Sequence, residues 1–336
     1  MKRFAPPERA TIADVARLAD VSKATVSQVL SGKRPVAPAT RERVEAVVRK
    51  LGYRPDGLAR SLRTRRTHMA ALMIPDITNP FYPLLARGLE DGMEPGYRSF
   101  ICNTDGRKER EQELLEEVAQ RGADGIVLDS FSLDPDWIES VVPGGTPVVR
   151  IGTTVIDDPG HDTVHADDER GAFAATTHLL HKGHTRIAMV QGPAGAGGKR
   201  NDGYRRALDA AGAKVISDLV VSGDWTRPGG AAAVSELLRR PNPPTGIFCA
   251  NDLMALGALD SARDRGLRVP GDLGLVGFDD IEASAMVRPA LTTVSNPAYE
   301  TGLLAGILLR ERVTGEYRGE ARTVTLPCEL IERESS

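Results

Sequence analysis

The fold of the N-terminal part is decided by one stretch, Thr11-Ile-Ala-Asp-Val-Ala-Arg-Leu-Ala-Asp-Val-Ser-Lys-Ala-Thr-Val-Ser-Gln-Val-Leu30. Apolar residues recur in it at helical spacing, and Thr11 and Ser22 carry hydroxyls of the kind that cap helix N-termini. Asp20 lies between the two helical patterns, where a tight turn often requires a left-handed backbone that Asp tolerates. The stretch therefore predicts two short helices joined by a turn.

The second predicted helix has an apolar face formed by Val26, Val29 and Leu30, and its other face is polar and small. A helix-turn-helix unit places such a helix in the major groove of DNA. Lysine can donate to guanine, glutamine can pair with adenine, and hydroxyls can reach phosphates. A third helix over residues 40–51 is expected to close the small core. The candidate DNA contacts in this stretch are Thr11, Ser22, Lys23, Ala24, Thr25, Ser27 and Gln28.

Charge is distributed unevenly between this segment and the rest of the chain. Residues 1–68 contain 16 Lys and Arg but only 6 Asp and Glu, whereas the remaining 268 residues contain 27 basic and 40 acidic side chains. A basic module joined to an acidic body indicates a polyanionic partner at the basic end. A disordered basic tail is the alternative, but the helical apolar pattern favours a folded module.

Four segments together resemble the lactose-repressor and galactose-repressor family of bacterial transcription regulators. The resemblance begins in residues 11–32 and continues through Thr40-Arg-Glu-Arg-Val44, Leu51-Gly-Tyr-Arg-Pro55 and Leu58-Ala-Arg-Ser-Leu62-Arg63. It implies that the last of these is a hinge helix, which enters the minor groove beside that of a second subunit. Leu62 would then wedge between base pairs.

Two further hinge contacts follow from the same resemblance. Ala59 would lie against the groove floor and Arg60 near the DNA backbone. Gly57 lowers the helical propensity of this segment by about 1 kcal/mol relative to Ala, so the hinge is expected to fold on DNA. A solvated basic linker is the alternative for this part of the chain.

From residue 69 onward, short apolar runs alternate with helical patterns. Such alternation predicts parallel sheets covered by helices on both faces. The resemblance extends to about Glu332 and implies a two-lobed α/β body like that of type I periplasmic sugar-binding proteins, with three crossovers and a ligand between the lobes. The predicted strands are Ala70–Ile74, Ser99–Cys102, Gly125–Leu128, Pro147–Ile151, Arg186–Val190, Gly246–Cys249 and Leu273–Val276.

Residues that suit a sugar follow several of these predicted strands, where ligands of parallel sheets bind. Polar groups for hydroxyls and aromatic faces for C–H surfaces are both present. The alternatives are that the two aromatic residues after the first strand belong to the core, and that Asn251 and Asp279 are turn or cap residues. The candidate effector contacts, which also match the family's motifs, are Asn79, Phe81, Tyr82, Arg200, Trp225, Asn251, Asp279 and Asn296.

Other classes of protein are disfavoured because the sequence lacks their characteristic motifs. The three cysteines are far apart, which argues against a disulfide framework and favours a reducing cytoplasm. No apolar run suits a membrane span or signal peptide. The glycine-rich loop at Gly192–Arg200 lacks the spacing of a nucleotide-binding loop, and no catalytic or metal-ligand motif is recognisable. We therefore expect neither an enzyme nor a cofactor or metal.

The sequence thus predicts an all-α helix-turn-helix headpiece at residues 1–53, a hinge and linker at 54–68, and a ligand-binding and dimerisation body at 69–336. The predicted function is a dimeric, ligand-responsive regulator, most simply a repressor, that binds a pseudopalindromic operator and a small sugar-like effector. The alternative is a sugar-binding protein that acts in transport or sensing, but such a protein would not need the DNA-binding segment at residues 11–62.

Overall fold

The computed structural model describes residues 10–32, 34–53, 66–130, 132–142, 144–152, 160–193 and 197–336. The chain divides into two compact units, Met1–Thr67 and His68–Ser336. We call them the headpiece and the body. The predicted hinge contacts Ala59, Arg60 and Leu62 lie outside the described residues.

The described residues of the headpiece form three helices, α1 (Ile12–Leu18), α2 (Lys23–Ser31) and α3 (Pro38–Leu51). Helix α1 begins at a capping box, because Thr11 accepts from the backbone of Asp14 while the Asp14 side chain accepts from the backbone of Thr11. Ser22 caps α2 by accepting from the N–H of Thr25. Asp20 has a φ of 50° in the turn between the helices, as the sequence predicted.

The core of the headpiece is smaller than the sequence predicted. Val15, Val26, Val29 and Val44 are buried in it. Leu30 was predicted to face inward, but it is 36% exposed and does not belong to the core cluster. Three short helices bury little apolar surface, so Leu30 in the last turn of α2 is left partly uncovered by the described residues.

The first lobe of the body is built on a parallel sheet with the strand order β11-β5-β4-β3-β1-β2. Its strands are β1 (Met69–Ile74), β2 (Arg98–Asn103), β3 (Gly125–Asp129), β4 (Val148–Ile151), β5 (Asp162–Ala166) and β11 (Thr323–Leu326). The helices of this lobe are α4 (Phe81–Gly92), α5 (Lys108–Arg121), α6 (Pro135–Val141) and α12 (Ala298–Thr314).

The second lobe has a parallel sheet with the order β7-β6-β8-β9. Its strands are β6 (Ile187–Gln191), β7 (Val220–Ser222), β8 (Gly246–Cys249) and β9 (Gly274–Val276), and β10 (Thr293–Ser295) pairs antiparallel with β12 (Glu329–Ile331). Its helices are α7 (Asp168–His181), α8 (Gly198–Ala210), α9 (Arg227–Leu238), α10 (Asp252–Asp264) and α11 (Glu282–Met286), with a 3₁₀ turn at Ser217–Leu219.

The chain passes between the lobes three times, after β5, between β10 and α12, and between β11 and β12. This connectivity confirms the two-lobed α/β architecture that the resemblance implied. One expectation was wrong, since the next element after β4 among the described residues is β5, a strand. Strand β5 was not predicted because its residues, Asp162-Thr-Val-His-Ala166, are largely polar although all five are buried.

Glycines fix how closely α4 and α12 approach each other within the first lobe. A Cβ on Gly88 would lie 2.1 Å from the backbone oxygen of Tyr299, and one on Gly302 would lie 2.0 Å from that of Leu85. The two backbones are therefore in direct contact, which no larger residue permits at either position. This contact sets the position of α4, whose first turn carries Phe81 and Tyr82.

Candidate functional site

The outer face of α2 is the candidate DNA-binding surface of the headpiece. Lys23 and Ala24 are exposed there, while Thr25, Ser27 and Gln28 are partly exposed. The Oγ atoms of Ser22 and Thr25 lie 2.9 Å apart, so these two hydroxyls are already oriented. The helix therefore presents one cation and several small polar groups on its exposed face, which suits close approach to base edges.

Thr11 has a structural role in the described headpiece. Its hydroxyl donates to Asp14 Oδ2 over 2.7 Å and accepts from the Asp14 N–H over 3.3 Å. The hydroxyl and the backbone N–H of Thr11 both donate to the Asp14 carboxylate, and with the Arg17 guanidinium nearby they lower the pKa of Asp14 to about 2. The turn is also fixed from α3, because Arg43 Nε donates to the carbonyl of Ala19 over 2.8 Å.

The body contains a cleft at the carboxyl ends of strands from both lobes. All eight predicted effector residues line it. The first lobe contributes Asn79, Phe81 and Tyr82, and the second lobe contributes Arg200, Trp225, Asn251 and Asp279, with Asn296 on the crossover that precedes α12.

Arg200 is the centre of a buried ionic network on the second-lobe side of this cleft. Its Nε donates to Asp168 Oδ2 over 3.0 Å, Nη1 donates to the carbonyl of Ala250, and Nη2 lies 3.5 Å from Asp279 Oδ1. Its guanidinium carbon is 3.8 Å from the ring centroid of Phe278. Each guanidinium nitrogen is thus directed at a protein oxygen, so Arg200 mainly orients the carboxylates around it.

Asn79 and Asn251, two of the three asparagines predicted for the effector site, form hydrogen bonds with the backbone. Asn251 caps α10 by accepting from the N–H of Met254 over 2.9 Å, and its amide donates to the carbonyl of Trp225 over 2.9 Å. Asn79 accepts from the N–H of Phe81 over 3.1 Å. Trp225 itself has a φ of 69°, and Asn251 holds its carbonyl. The cap interpretation therefore applies to Asn251, which nevertheless positions a cleft-lining aromatic residue.

Several cleft-lining residues were not predicted from the sequence, among them Asp129, His165 and Asp168. Asp129 is the last residue of β3, and its Oδ2 accepts from the Tyr82 hydroxyl over 2.8 Å. Its position after a predicted strand was a signal that could have found it. His165 lies in the missed strand β5, so no signal was available for it.

Burial controls the ionisation of the carboxyl groups in the cleft. Burial raises the pKa of Asp129 to about 7 against the hydrogen bond from Tyr82, and the nearby Glu111 acts in the same direction as burial. Burial also raises the pKa of Asp279 to about 6, although Arg200 and Asn296 oppose it. Both groups therefore titrate close to neutral pH, unlike an ordinary aspartate.

Family models match both units. Residues 11–56 match the model described as bacterial regulatory proteins, lacI family, and residues 176–336 match the periplasmic binding protein-like domain. Catabolite control protein A of Priestia megaterium is 38% identical over 330 residues, covering 97% of this chain and 99% of that protein. The chain belongs to the lacI family of bacterial regulatory proteins.

Two further comparisons agree with membership of the lacI family. The ribose operon repressor of Escherichia coli (strain K12) is 37% identical over 331 residues, which cover 97% of this chain and 100% of that repressor. A solved structure of the transcriptional regulator CelR in complex with cellobiose has a TM-score of 0.74 and 34% identity, covering 98% of this chain and 100% of that one. The predicted family and fold are confirmed, and the lacI-family chain is a DNA-binding transcriptional regulator.

Among the described residues, none of the helices has the length and apolar character needed to span a membrane. In the same ranges, His, Cys, Asp and Glu side chains do not gather in any group of three that would hold a metal ion.

Proposed function

We propose that the chain is a repressor that binds a pseudopalindromic operator as a homodimer, with a small sugar-like effector in the cleft controlling its affinity for DNA. The observation that supports this proposal is that the same chain contains both a helix with an exposed polar face and a cleft lined by polar and aromatic side chains. The relatives named above are repressors or regulators, and one of them was solved with cellobiose.

The proposed division of labour follows the sequence prediction. Residues 1–53 read the major groove, residues 54–68 form the hinge and linker, and residues 69–336 bind the effector and dimerise. In the headpiece, Lys23 and Gln28 contact bases, while the hydroxyls of α2 contact phosphates. Within 54–68, Ala59, Arg60 and Leu62 are proposed for the minor groove.

The cleft is proposed to transmit ligand binding to the headpiece. A ligand held between Tyr82 on the first lobe and the Arg200 network on the second would favour one arrangement of the lobes. The ligand changes DNA affinity only through its different affinity for the two arrangements, and such coupling is typically about 1–3 kcal/mol. The body, with no catalytic role, acts here as a switch.

A reducing cytoplasm is the proposed location. Cys102, Cys249 and Cys328 are free thiols in the structure. Burial raises the pKa of the Cys102 thiol, which lowers its reactivity. This state suits a compartment that keeps thiols reduced.

The experiment that tests the proposal is footprinting of the purified full chain on its own upstream DNA, over a salt series, with and without a panel of monosaccharides, disaccharides and nucleosides. We expect a two-fold symmetric footprint whose affinity falls steeply with salt and changes with one compound. Sedimentation of the free protein should give a dimer.

Three results would contradict parts of the proposal. Binding without sequence preference at low salt would overturn the recognition role of α2, and the chain would then be a sugar-binding protein with no transcriptional role. Specific binding that no compound changes would overturn the effector role of the cleft. A monomer that binds a single half-site would overturn the dimer.

A further inference from the structure

Asp129 has one carboxylate oxygen that the described residues leave without a hydrogen bond. The residue is 5% exposed, and Tyr82 donates to its Oδ2, but Oδ1 has no hydrogen-bond partner among the described residues. Asp129 lines the cleft, and so does Gly152. A buried acceptor without a partner costs about 1–3 kcal/mol, so a donor supplied by a ligand is favoured at this point.

Gly152 approaches that oxygen closely. A Cβ at this position would lie 2.9 Å from Asp129 Oδ1, and the φ of 91° favours glycine as well. A larger side chain would therefore collide with the carboxylate. Asp129 and Gly152 are thus close neighbours in the first-lobe wall of the cleft.

The charges that line the cleft are unbalanced. Arg200 is the one Lys or Arg side chain among the described residues of its lining, and its nitrogens are directed at Asp168, Asp279 and the carbonyl of Ala250. Asp129 lies on the opposite lobe and has no ion pair with Arg200. The cleft therefore carries more negative than positive charge, and each guanidinium nitrogen of its one Arg already faces a protein oxygen.

Aromatic rings complete the same cleft. Phe81 and Tyr82 line it from the first lobe, and Trp225 lines it from the second. Aromatic faces stack on the C–H surface of a sugar ring and attract cations, whereas they do not attract anions. The rings and the carboxylates thus favour the same class of ligand.

We propose that the cleft binds neutral or cationic polyols more tightly than phosphorylated or carboxylated ones. We further propose that Asp129 sets this order of affinities through Oδ1, which has no hydrogen-bond partner among the described residues. The inference rests on the proposed function of the cleft and names its ligand class. A hydroxyl or ammonium group donates to Oδ1, and an ammonium also neutralises the excess negative charge. A phosphate has no donor to offer when ionised and would be repelled by several carboxylates.

The test uses matched ligands on the full chain. Calorimetry at neutral pH compares glucose, galactose and mannose, each as the neutral hexose, the 2-amino-2-deoxy sugar and the 6-phosphate. We expect at least one hexose type to bind, its amino form at least as tightly as the neutral form, and its phosphate at least about tenfold more weakly. The readout is the ratio of Kd values within one hexose type.

Two variants test whether Asp129 determines the order of ligand affinities. Asp129→Asn keeps the size of the side chain and should bring the amino and neutral forms to equal affinity while weakening the rejection of the phosphate. Asp218→Asn removes the same charge from an exposed position before β7, at the opposite end of that strand from the cleft, and should leave the ratios unchanged. Asp279→Asn provides a second cleft variant if Asp129→Asn does not fold, as judged by thermal unfolding.

The possible outcomes separate this inference from the proposed function. Binding of a sugar phosphate as tightly as the neutral sugar overturns the inference and leaves the effector role of the cleft intact. Unchanged ratios in folded Asp129→Asn overturn the role of Asp129. If none of the nine compounds binds, the polyol ligand class is overturned together with the sugar-like effector. The DNA footprint then still tests, independently, whether the chain binds an operator.

Discussion

At α2 and its cap, six candidate DNA contacts fall within the seven positions from Ser22 to Gln28, whereas the polar side chains of the cleft come from positions as distant as Asn79 and Asn296. Lys23 is exposed, but Arg200 is buried against Asp168 and Asp279. The first surface is made by one helix and keeps its charges in water. The second is assembled from two lobes and holds its charges in a low-dielectric environment.

This difference has an energetic consequence. An exposed cation costs the folded protein little and is available to an anionic partner, with an effect that salt screens. A buried cation is stable only while its partners remain, and removal of one member leaves the others unpaired. We therefore expect substitutions on α2 to change DNA binding alone, and substitutions in the cleft to change stability as well.

The largest effect is expected for Arg200→Met. Removal of the guanidinium leaves Asp168 and Asp279 buried without their cation, which should lower the free energy of unfolding by about 3–5 kcal/mol. Denaturant unfolding of the full chain measures this change. The matched control is Arg206→Met on the same helix, whose exposed ion pair with Glu169 should be worth less than about 1 kcal/mol. Equal effects of the two variants would show that burial does not distinguish them.

The next effect is expected for Gly88→Ala, which alters the cleft from a distance. The added methyl group meets backbone at 2.1 Å, so α4 must move from α12, at an expected cost of about 1–3 kcal/mol. Thermal unfolding measures the loss, and sugar binding should weaken because α4 carries Tyr82. Gly198→Ala is the control, since an added Cβ there has no neighbour within 4 Å in the described part of the chain. An unchanged Tm for Gly88→Ala would contradict the packing argument.

Lys23→Ala tests the exposed surface of α2. Loss of a donor to guanine should weaken binding to the preferred operator by about 1–3 kcal/mol, with little change in affinity for unrelated DNA. The unfolding free energy should stay within about 0.5 kcal/mol of the parent value, because Lys23 is exposed. Titration of both DNAs measures the two affinities, and Lys50→Ala on α3 serves as the control. Equal loss on both DNAs would place Lys23 at a phosphate.

The smallest effect is expected in the pH dependence of stability. The pKa of Asp129 is raised to about 7 in the folded protein, so this group stabilises the fold when protonated and loses that contribution as pH rises through 7. Between about pH 6 and pH 8, the parent should therefore lose about 1 kcal/mol more stability than Asp129→Asn. Denaturant unfolding at both pH values measures it, with Asp218→Asn as the control. A steeper fall in Asp129→Asn would contradict the raised pKa.

Much of the headpiece was predictable because its elements are local. Thr11 and Ser22 cap the helices that their hydroxyls indicated, and Asp20 has the expected left-handed backbone. The wrong prediction was the burial of Leu30, since a periodic pattern shows which face is apolar but not how much of it a neighbour covers.

In the body, the eight candidate effector residues were predicted from their chemistry, from their positions after strands and from a resemblance, and the structure brings all of them to one cleft. The resemblance did not show that Asn251 is engaged as a cap or that Arg200 is surrounded by carboxylates. Asp129 was missed because an aspartate at the end of a strand is common, and its free oxygen is visible only when the facing residues are known.

The sequence by itself determined the helices of the headpiece, the strand and helix alternation of the body, and the separation of basic and acidic charge. These features depend on residues close together in the chain or on simple counts. Tertiary structure alone decided the approach of α4 to α12 through Gly88 and the charge balance of the cleft around Asp129. Packing and burial depend on atoms that come together only in the fold, and the dielectric environment of a carboxylate is set by those atoms.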